Sequence, residues 1–419
     1  MKLSDKRKKR LINLLTLPIL YRPWRKSLRE QLKCVFIYRT MEFADIFGCT
    51  YQKFTDNPQA KTLLLIDEKI PVYDRDTGSR VIWQYLNFFK KQGLNVYYMP
   101  MLPFPKGKYL QSLNNMQINV ITEDKEIWLK NHGGTIDYVM LDRPDIAEKM
   151  LPILKKYIKV PIWYFDHDLH YVRERRDFEQ TGDTEALRRS EAYRELEDKI
   201  TEQTDVFLTL SSYERDIIAQ THPNKQSALL PIYIWNDFPK IKYDASKREG
   251  LMFVGSSHLP NADAMRWFLD EVFPRFVKHY PQDKFYIVGG SIPADIKKQA
   301  SANVIFTGFV SDDEMNTLMN KVRLNVVPLR FGAGVKGKIV ESVYQKLPVI
   351  TTPVGAEGIP ETPMITVADT KDFSESLISL YGDTEKLNMA AKTADEFLQN
   401  NYSEAVMCKV FEDLKGIKW

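Results

Sequence analysis

Two stretches hold most of the chain's potential chemistry: Pro328-Leu-Arg-Phe-Gly-Ala-Gly-Val-Lys-Gly-Lys-Ile-Val-Glu341 and Leu347-Pro-Val-Ile-Thr-Thr-Pro-Val-Gly-Ala-Glu-Gly358. A strand-like apolar run over 324–327 enters a glycine-rich turn, two lysines open a helical pattern, and a carboxylate follows. Gly332, Gly334 and Gly337 let main-chain N–H groups approach an anion, and a helix N-terminus adds partial positive charge. Lys336 and Lys338 add full charges, and Glu341 is placed to accept hydrogen bonds from a ribose. This arrangement suits the diphosphate of a nucleotide. The plainer alternative is a tight turn with exposed lysines. Arg330 is either a further phosphate contact or a surface residue.

A second constellation is Tyr164-Phe-Asp-His-Asp-Leu-His-Tyr-Val-Arg-Glu-Arg-Arg176. It follows an apolar run, so its polar residues belong at the C-terminal edge of a parallel sheet, where such sheets bind ligands. Asp168 is expected to hold the His170 imidazole in one tautomer, and the arginines are expected to pair with phosphates or acids. A structural His–Asp pair is the competing reading. A third candidate is the loop that ends in Asp74-Arg-Asp-Thr-Gly-Ser79, before a helical pattern from about Val81. There Gly78 would let a ligand approach the backbone. Asp74 and Asp76 have the spacing of a D-x-D metal motif, but a structural turn explains them equally well. No Gly-x-Ser-x-Gly nucleophile signature is present.

The elements that must position these residues are legible as two series of short β-branched and aromatic runs separated by helical patterns. The first series is 62–66, 95–98, 118–121, 137–141, 161–165 and 206–210; the second is 251–254, 285–288, 304–306, 324–327, 348–351 and 365–367. Strands alternating with helices imply parallel βαβ units, and two series imply two Rossmann-like domains. The turn-rich 231–239 and polar 244–249 segments mark the break. The expected organisation is a basic arm over 1–57, a first Rossmann-like domain over 58–235, a second over 236–395, and a terminal helix over 396–419. Asn261 is expected to N-cap a helix with Met265, Phe268, Val272 and Phe276 on one face, and Pro274 to kink or end it.

Bulk properties narrow the classes. At 419 residues, two domains are the natural expectation. Cys34, Cys49 and Cys408 form no disulfide framework, and the six histidines include no H-x-x-x-H pair, so no metal site is expected. The formal net charge of +4 hides an asymmetry: residues 1–40 hold twelve Lys or Arg and two acids, a charge of +10, which leaves −6 on the remainder. A basic arm on an acidic body argues against a nucleic-acid-binding protein. The arm's apolar residues at Leu28, Leu32, Val35 and Phe36 have helical spacing, consistent either with an anionic membrane surface or with packing on the body. Its ten-residue apolar run is well short of the roughly 20 residues that span a bilayer. No cleavage-site pattern follows it, so a cytoplasmic location is expected, peripheral at the inner face of the plasma membrane.

At this point the chain resembles the family 4 retaining glycosyltransferases, which have the GT-B fold of two facing Rossmann-like domains. The resemblance rests on Val254-Gly255, Pro260-Asn-Ala-Asp263, Ile287-Val-Gly289, Phe306-Thr-Gly-Phe-Val310 and the two stretches that open this section. Asp74-Arg-Asp-Thr-Gly-Ser79, Asp168-Leu-His170 with Arg173, and Leu208-Thr-Leu-Ser-Ser-Tyr-Glu-Arg215 add weaker echoes. One departure stands out. Many members carry a Glu-x7-Glu pair; Glu341 matches the second glutamate, but Ala333 holds the first position. The Gly-Ala-Gly-Val-Lys-Gly-Lys variant is similar to a bacterial subgroup that builds surface polysaccharides, including rhamnosyltransferases.

The resemblance implies a nucleotide-diphosphate sugar as co-substrate, with no cofactor and no metal. The donor's base would lie near Phe309 and Val310, its ribose on Glu341, and its diphosphate on Arg330, Lys336, Lys338 and the loop of Gly332, Ala333 and Gly334. Gly78 would also line the donor, and Arg173 and Ser79 the acceptor. His170 would contact the donor sugar beside Asp168, with Lys336 stabilising the leaving group. The acceptor would be a glycan or lipid-linked species. Two alternatives share much of this reading: a sugar-nucleotide epimerase of the same fold, and a non-catalytic nucleotide-sugar-binding scaffold.

Overall fold

The structure is a computed structural model that describes residues 48–414. Expectations for the basic arm within residues 1–47, and for the terminal helix within 415–419, lie outside the described residues. The chain forms two compact units, divided between Asp137 and Tyr138. Among the described residues the strands make two parallel sheets, of seven and six strands.

The first unit holds β1 (Thr62–Lys69), β2 (Asn95–Leu102) and β3 (Asn119–Val120), in the order β3-β2-β1. The four leucine and isoleucine side chains at 63–66 are fully buried, which is what a parallel strand covered on both faces requires. The helix Thr77–Lys91 begins four residues earlier than the sequence pattern suggested, because Asp76 caps it by accepting from Ser79 N at 2.7 Å.

The second unit holds β4 (Tyr138–Asp142), β5 (Ile162–Asp166), β6 (Val206–Thr209) and β7 (Gln226–Leu229), in sequential order. It also contains the whole six-stranded sheet: β8 (Leu251–Val254), β9 (Phe285–Val288), β10 (Val304–Gly308), β11 (Leu324–Val327), β12 (Val349–Thr351) and β13 (Ile365–Val367). The order β10-β9-β8-β11-β12-β13 is that of a Rossmann sheet, with the strand order reversing between β8 and β11. Ligands of such sheets bind beyond the carboxyl ends of the strands at that reversal, and the glycine-rich loop leaves β11 there. The loop is anchored on both sides. Val327, Leu329 and Ile339 are buried with Ala264 and Val349 in one cluster, and Ile359 and Ile365 pack on it. Each such aliphatic side chain contributes about 1.5–3 kcal/mol by leaving water.

All twelve expected strands are present, to within a few residues at their ends. The thirteenth, β7, has no apolar run to reveal it: Gln226-Ser-Ala-Leu229 is half-buried at the edge of its sheet. The helix after β8 differs from expectation. It runs Leu259–Trp267 with His258 as its N-cap residue, so Asn261 sits inside the first turn. A π-helical turn, Phe268–Val272, follows, and the helix resumes at Phe273 with Pro274 in its first turn. Proline is tolerated there because first-turn N–H groups have no helical partner. At the far end of the chain, the helix Glu404–Asp413 places the Phe411 ring 5.4 Å from that of Trp163 on β5. The chain therefore returns to the first of its sheets.

Candidate active site

The loop of 328–336 needs its glycines. Gly332 and Gly334 have φ of +135° and +69°, in the region that L side chains rarely adopt. A Cβ on Gly334 would lie 2.9 Å from both Asp168 Cβ and His167 O. The loop thus passes directly against the segment leaving β5, and the two constellations read separately from the sequence form one site.

Glu214 joins them. Its Oε1 accepts from Gly334 N and from Leu169 N, both at 3.1 Å, and its Oε2 accepts from Thr209 Oγ1 at 3.0 Å. Burial, with the nearby Asp168 charge, raises its pKa to about 8. Arg176 makes a second link. It donates to Gly332 O at 2.7 Å and forms a bidentate pair with Glu357 at 2.9 and 2.7 Å.

The expected phosphate cations surround the loop, each held by the protein's own groups. Lys336 Nζ donates to the carbonyls of Ala333 and Gly334, at 3.0 and 2.5 Å. Lys338 Nζ donates to Asn261 Oδ1 at 2.7 Å and lies 4.5 Å above the Phe253 ring. Burial and the neighbouring Lys336 charge bring the Lys338 pKa down to about 7. The Arg330 guanidinium is taken up by Asp263, with Nε 2.9 Å from Oδ2. Glu341 accepts from Tyr233 Oη at 2.6 Å. Phe309 is half-exposed on the loop after β10, beside Val310.

His170 is oriented differently from the sequence expectation. Its Nδ1 lies 3.0 Å from the Asp168 main-chain oxygen, whereas the Asp168 carboxylate accepts from Arg173 at 2.7 Å. A carboxylate so close in sequence had another partner one helical turn on. Burial opposes protonation of His170, but the Glu197 hydrogen bond and the Asp168 charge outweigh it and raise the pKa above the ordinary imidazole value. Glu197 Oε1 and Oε2 accept from His170 N and Tyr171 N at 2.8 and 3.2 Å, which satisfies the start of the helix His170–Thr181. Burial raises the Asp168 pKa, but Arg173, His170, His167 and Lys336 together bring it below the usual carboxylate value.

In the first unit, Ser79 Oγ donates to Asp76 Oδ2 at 2.9 Å, and Gly78 lies in the capped first turn. Asp74 accepts from Lys108 at 2.5 Å and Tyr109 at 2.8 Å. Both acids of the D-x-D pattern thus serve local structure.

Glu197, Glu214 and Glu357 were not singled out from the sequence, whereas Arg176 is one of the arginines expected to pair with a phosphate or an acid, and Glu357 is its acid. Glu214 and Glu357 lie inside motifs quoted for other reasons, and Glu197 sits on the long polar helix Thr184–Gln203. Only their distant partners give these carboxylates meaning.

Residues 248–383, a third of the chain, match the family model described as "Glycosyl transferases group 1". Over 177 residues, 39% of this chain, the sequence is 27% identical to a Klebsiella pneumoniae protein described as an uncharacterized 44.6 kDa protein in the cps region. That match spans 45% of the relative's length. Among solved structures, HepE of Anabaena in complex with UDP and glucose superposes with a TM-score of 0.63 at 12% identity, covering 85% of this chain and all of that one. A trehalose-phosphate synthase (UDP-forming) of Burkholderia vietnamiensis gives 0.59 at 11% identity, over 85% of this chain and 97% of that one. S. aureus TarM in complex with fondaparinux, alpha-GlcNAc-glycerol and UDP gives 0.51 at 16% identity, over 67% of this chain and 55% of that one. These likenesses establish the GT-B fold.

Proposed function

We propose that the chain is a retaining glycosyltransferase that moves a sugar from a nucleotide-diphosphate donor to a glycan or lipid-linked acceptor in cell-surface polysaccharide synthesis. The observation that carries this reading is the loop after β11. It gathers two lysines, two glycines of positive φ and the start of a helix at the Rossmann reversal point, against Asp168 and His167. The match of 248–383 to group 1 glycosyl transferases supports it, as do the UDP-bound neighbours.

On this reading the donor diphosphate displaces weak internal partners. Lys336 exchanges two loop carbonyls, and Lys338 the Asn261 amide oxygen, for phosphate oxygens. Negative charge grows on the diphosphate as the glycosidic bond breaks, so these ammonium groups and the helix start stabilise the transition state. The lysines meet that charge without a metal at the diphosphate. Glu341, released from Tyr233 or sharing it, accepts from the ribose, and Phe309 and Val310 border the base. His170 lies against the donor sugar. Retention follows from attack on the face that the diphosphate leaves, with the leaving phosphate taking the acceptor proton. The division into an acceptor half, 58–235, and a nucleotide-sugar half, 236–395, belongs to the same proposal, as does membrane placement by the basic arm. Among the described residues no helix is long and apolar enough to cross a membrane.

The test is a double variant, Lys336→Ala with Lys338→Ala. Removing charge aimed at a developing anion typically costs about 100-fold or more in turnover. Loss of transfer from a UDP-sugar donor with unchanged circular dichroism is the expected result; wild-type turnover would exclude the diphosphate assignment.

A further inference from the structure

We propose that Asp166, His170 and Glu197 form a binding site for one divalent cation of the zinc or manganese class at the carboxyl end of β5. Asp166 is the last residue of β5 and is fully buried, and neither of its carboxylate oxygens has a hydrogen-bond partner. An ionised carboxylate left unpartnered in the interior costs several kcal/mol, so such a group needs a proton or a cation.

A cation is the better fit for three reasons. First, one ligand atom each from Asp166, His170 and Glu197 lies within 4.8 Å of the others. A metal with bonds of about 2.0–2.2 Å holds neighbouring ligand atoms roughly 3.0–3.6 Å apart, so side-chain torsions must bring these groups up to about 1.5 Å closer. Second, the ligands are already oriented. Main-chain N–H groups of His170 and Tyr171 fix both Glu197 oxygens and leave lone pairs over. Such outer contacts accompany ligating residues in metal sites. Third, the surroundings are short of positive charge. Asp142, Asp168, Glu197 and Glu214 all act on Asp166. Against these stand Arg173, which pairs with Asp168, Arg143, whose Nε lies 3.6 Å from Asp142 Oδ2, and Lys336, which acts on Asp168 and Glu214. His167 faces Asp142 at 3.0 Å.

One imidazole with two carboxylates suits zinc or manganese better than calcium, which takes six to eight oxygens. The imidazole side chain is 17% exposed, against 2% for Glu197, so entry is from the His170 side. A cation here would lock the ring of His170 and the first turn of the helix it opens. This inference does not depend on the transfer reaction.

The test uses the full chain without an affinity tag, stripped with chelator and titrated with zinc and, separately, manganese by calorimetry and thermal shift. One saturable equivalent per chain and a rising Tm are expected. Both should vanish in Asp166→Asn, whose metal-free Tm should equal or exceed that of the wild type because a buried charge is gone. His170→Gln, which keeps both carboxylates, must lose the same equivalent, and this arm decides the matter if the asparagine variant fails to fold. Absence of saturable binding in the wild type, or its survival in either variant, overturns the site and leaves Asp166 a protonated acid.

Discussion

Gly334 sits where two demands coincide, a positive φ and a close approach to Asp168 and His167. Alanine there incurs about 1–2 kcal/mol from the backbone alone, before any displacement of Asp168. Gly334→Ala is therefore expected to lower Tm and to weaken nucleotide binding together; an unchanged melt would show that the loop relaxes freely. Glu214 gives a pH signature. Its carboxyl titrates at about 8 when folded, against 4.5 ordinarily. Between those values the folded chain keeps a proton that the unfolded chain has released, so stability falls as pH rises across the window. Glu214→Gln keeps an acceptor oxygen and removes the titration. Its Tm relative to wild type should rise from about pH 5 to about pH 8, and a flat difference would contradict the assignment. At this scale the sequence was half legible. Glycine spacing and lysine placement announced the loop, because backbone conformation is a local property. Asn261 and Asp263, which hold Lys338 and Arg330, lie about seventy residues away, and no local pattern links them.

Among the elements, strands were read well because parallel strands buried on both faces leave continuous β-branched runs. β7 escaped because an edge strand need not be apolar. Helix starts were read less well: Asp76 caps the helix Thr77–Lys91 four residues ahead of the expected start, and His258 took the place given to Asn261. Asp76→Ala tests the first of these. Loss of an N-cap costs about 0.5–2 kcal/mol, so a urea melt should shift to lower midpoint with an unchanged slope. A midpoint equal to wild type would mean that water accepts from the first-turn N–H groups instead.

For the molecule as a whole, the contacts that matter join remote parts of the second unit. Arg176 and Glu357 are 181 positions apart and only 19% and 13% exposed. Breaking a buried pair costs about 3–5 kcal/mol; partial exposure lowers the expectation for Arg176→Leu to about 1–3 kcal/mol. A double-mutant cycle with Glu357→Leu should return part of that loss, and strict additivity would show that the pair carries no coupling.

The ring of Phe411 resting on Trp163 has a consequence for synthesis of the chain. A ribosome emits the indole some two hundred and fifty codons before the phenyl ring that covers it. Until the last helix emerges, that strand waits with an aromatic face bare, and a nascent chain stalled ahead of residue 404 offers it to whatever apolar surface or chaperone is near.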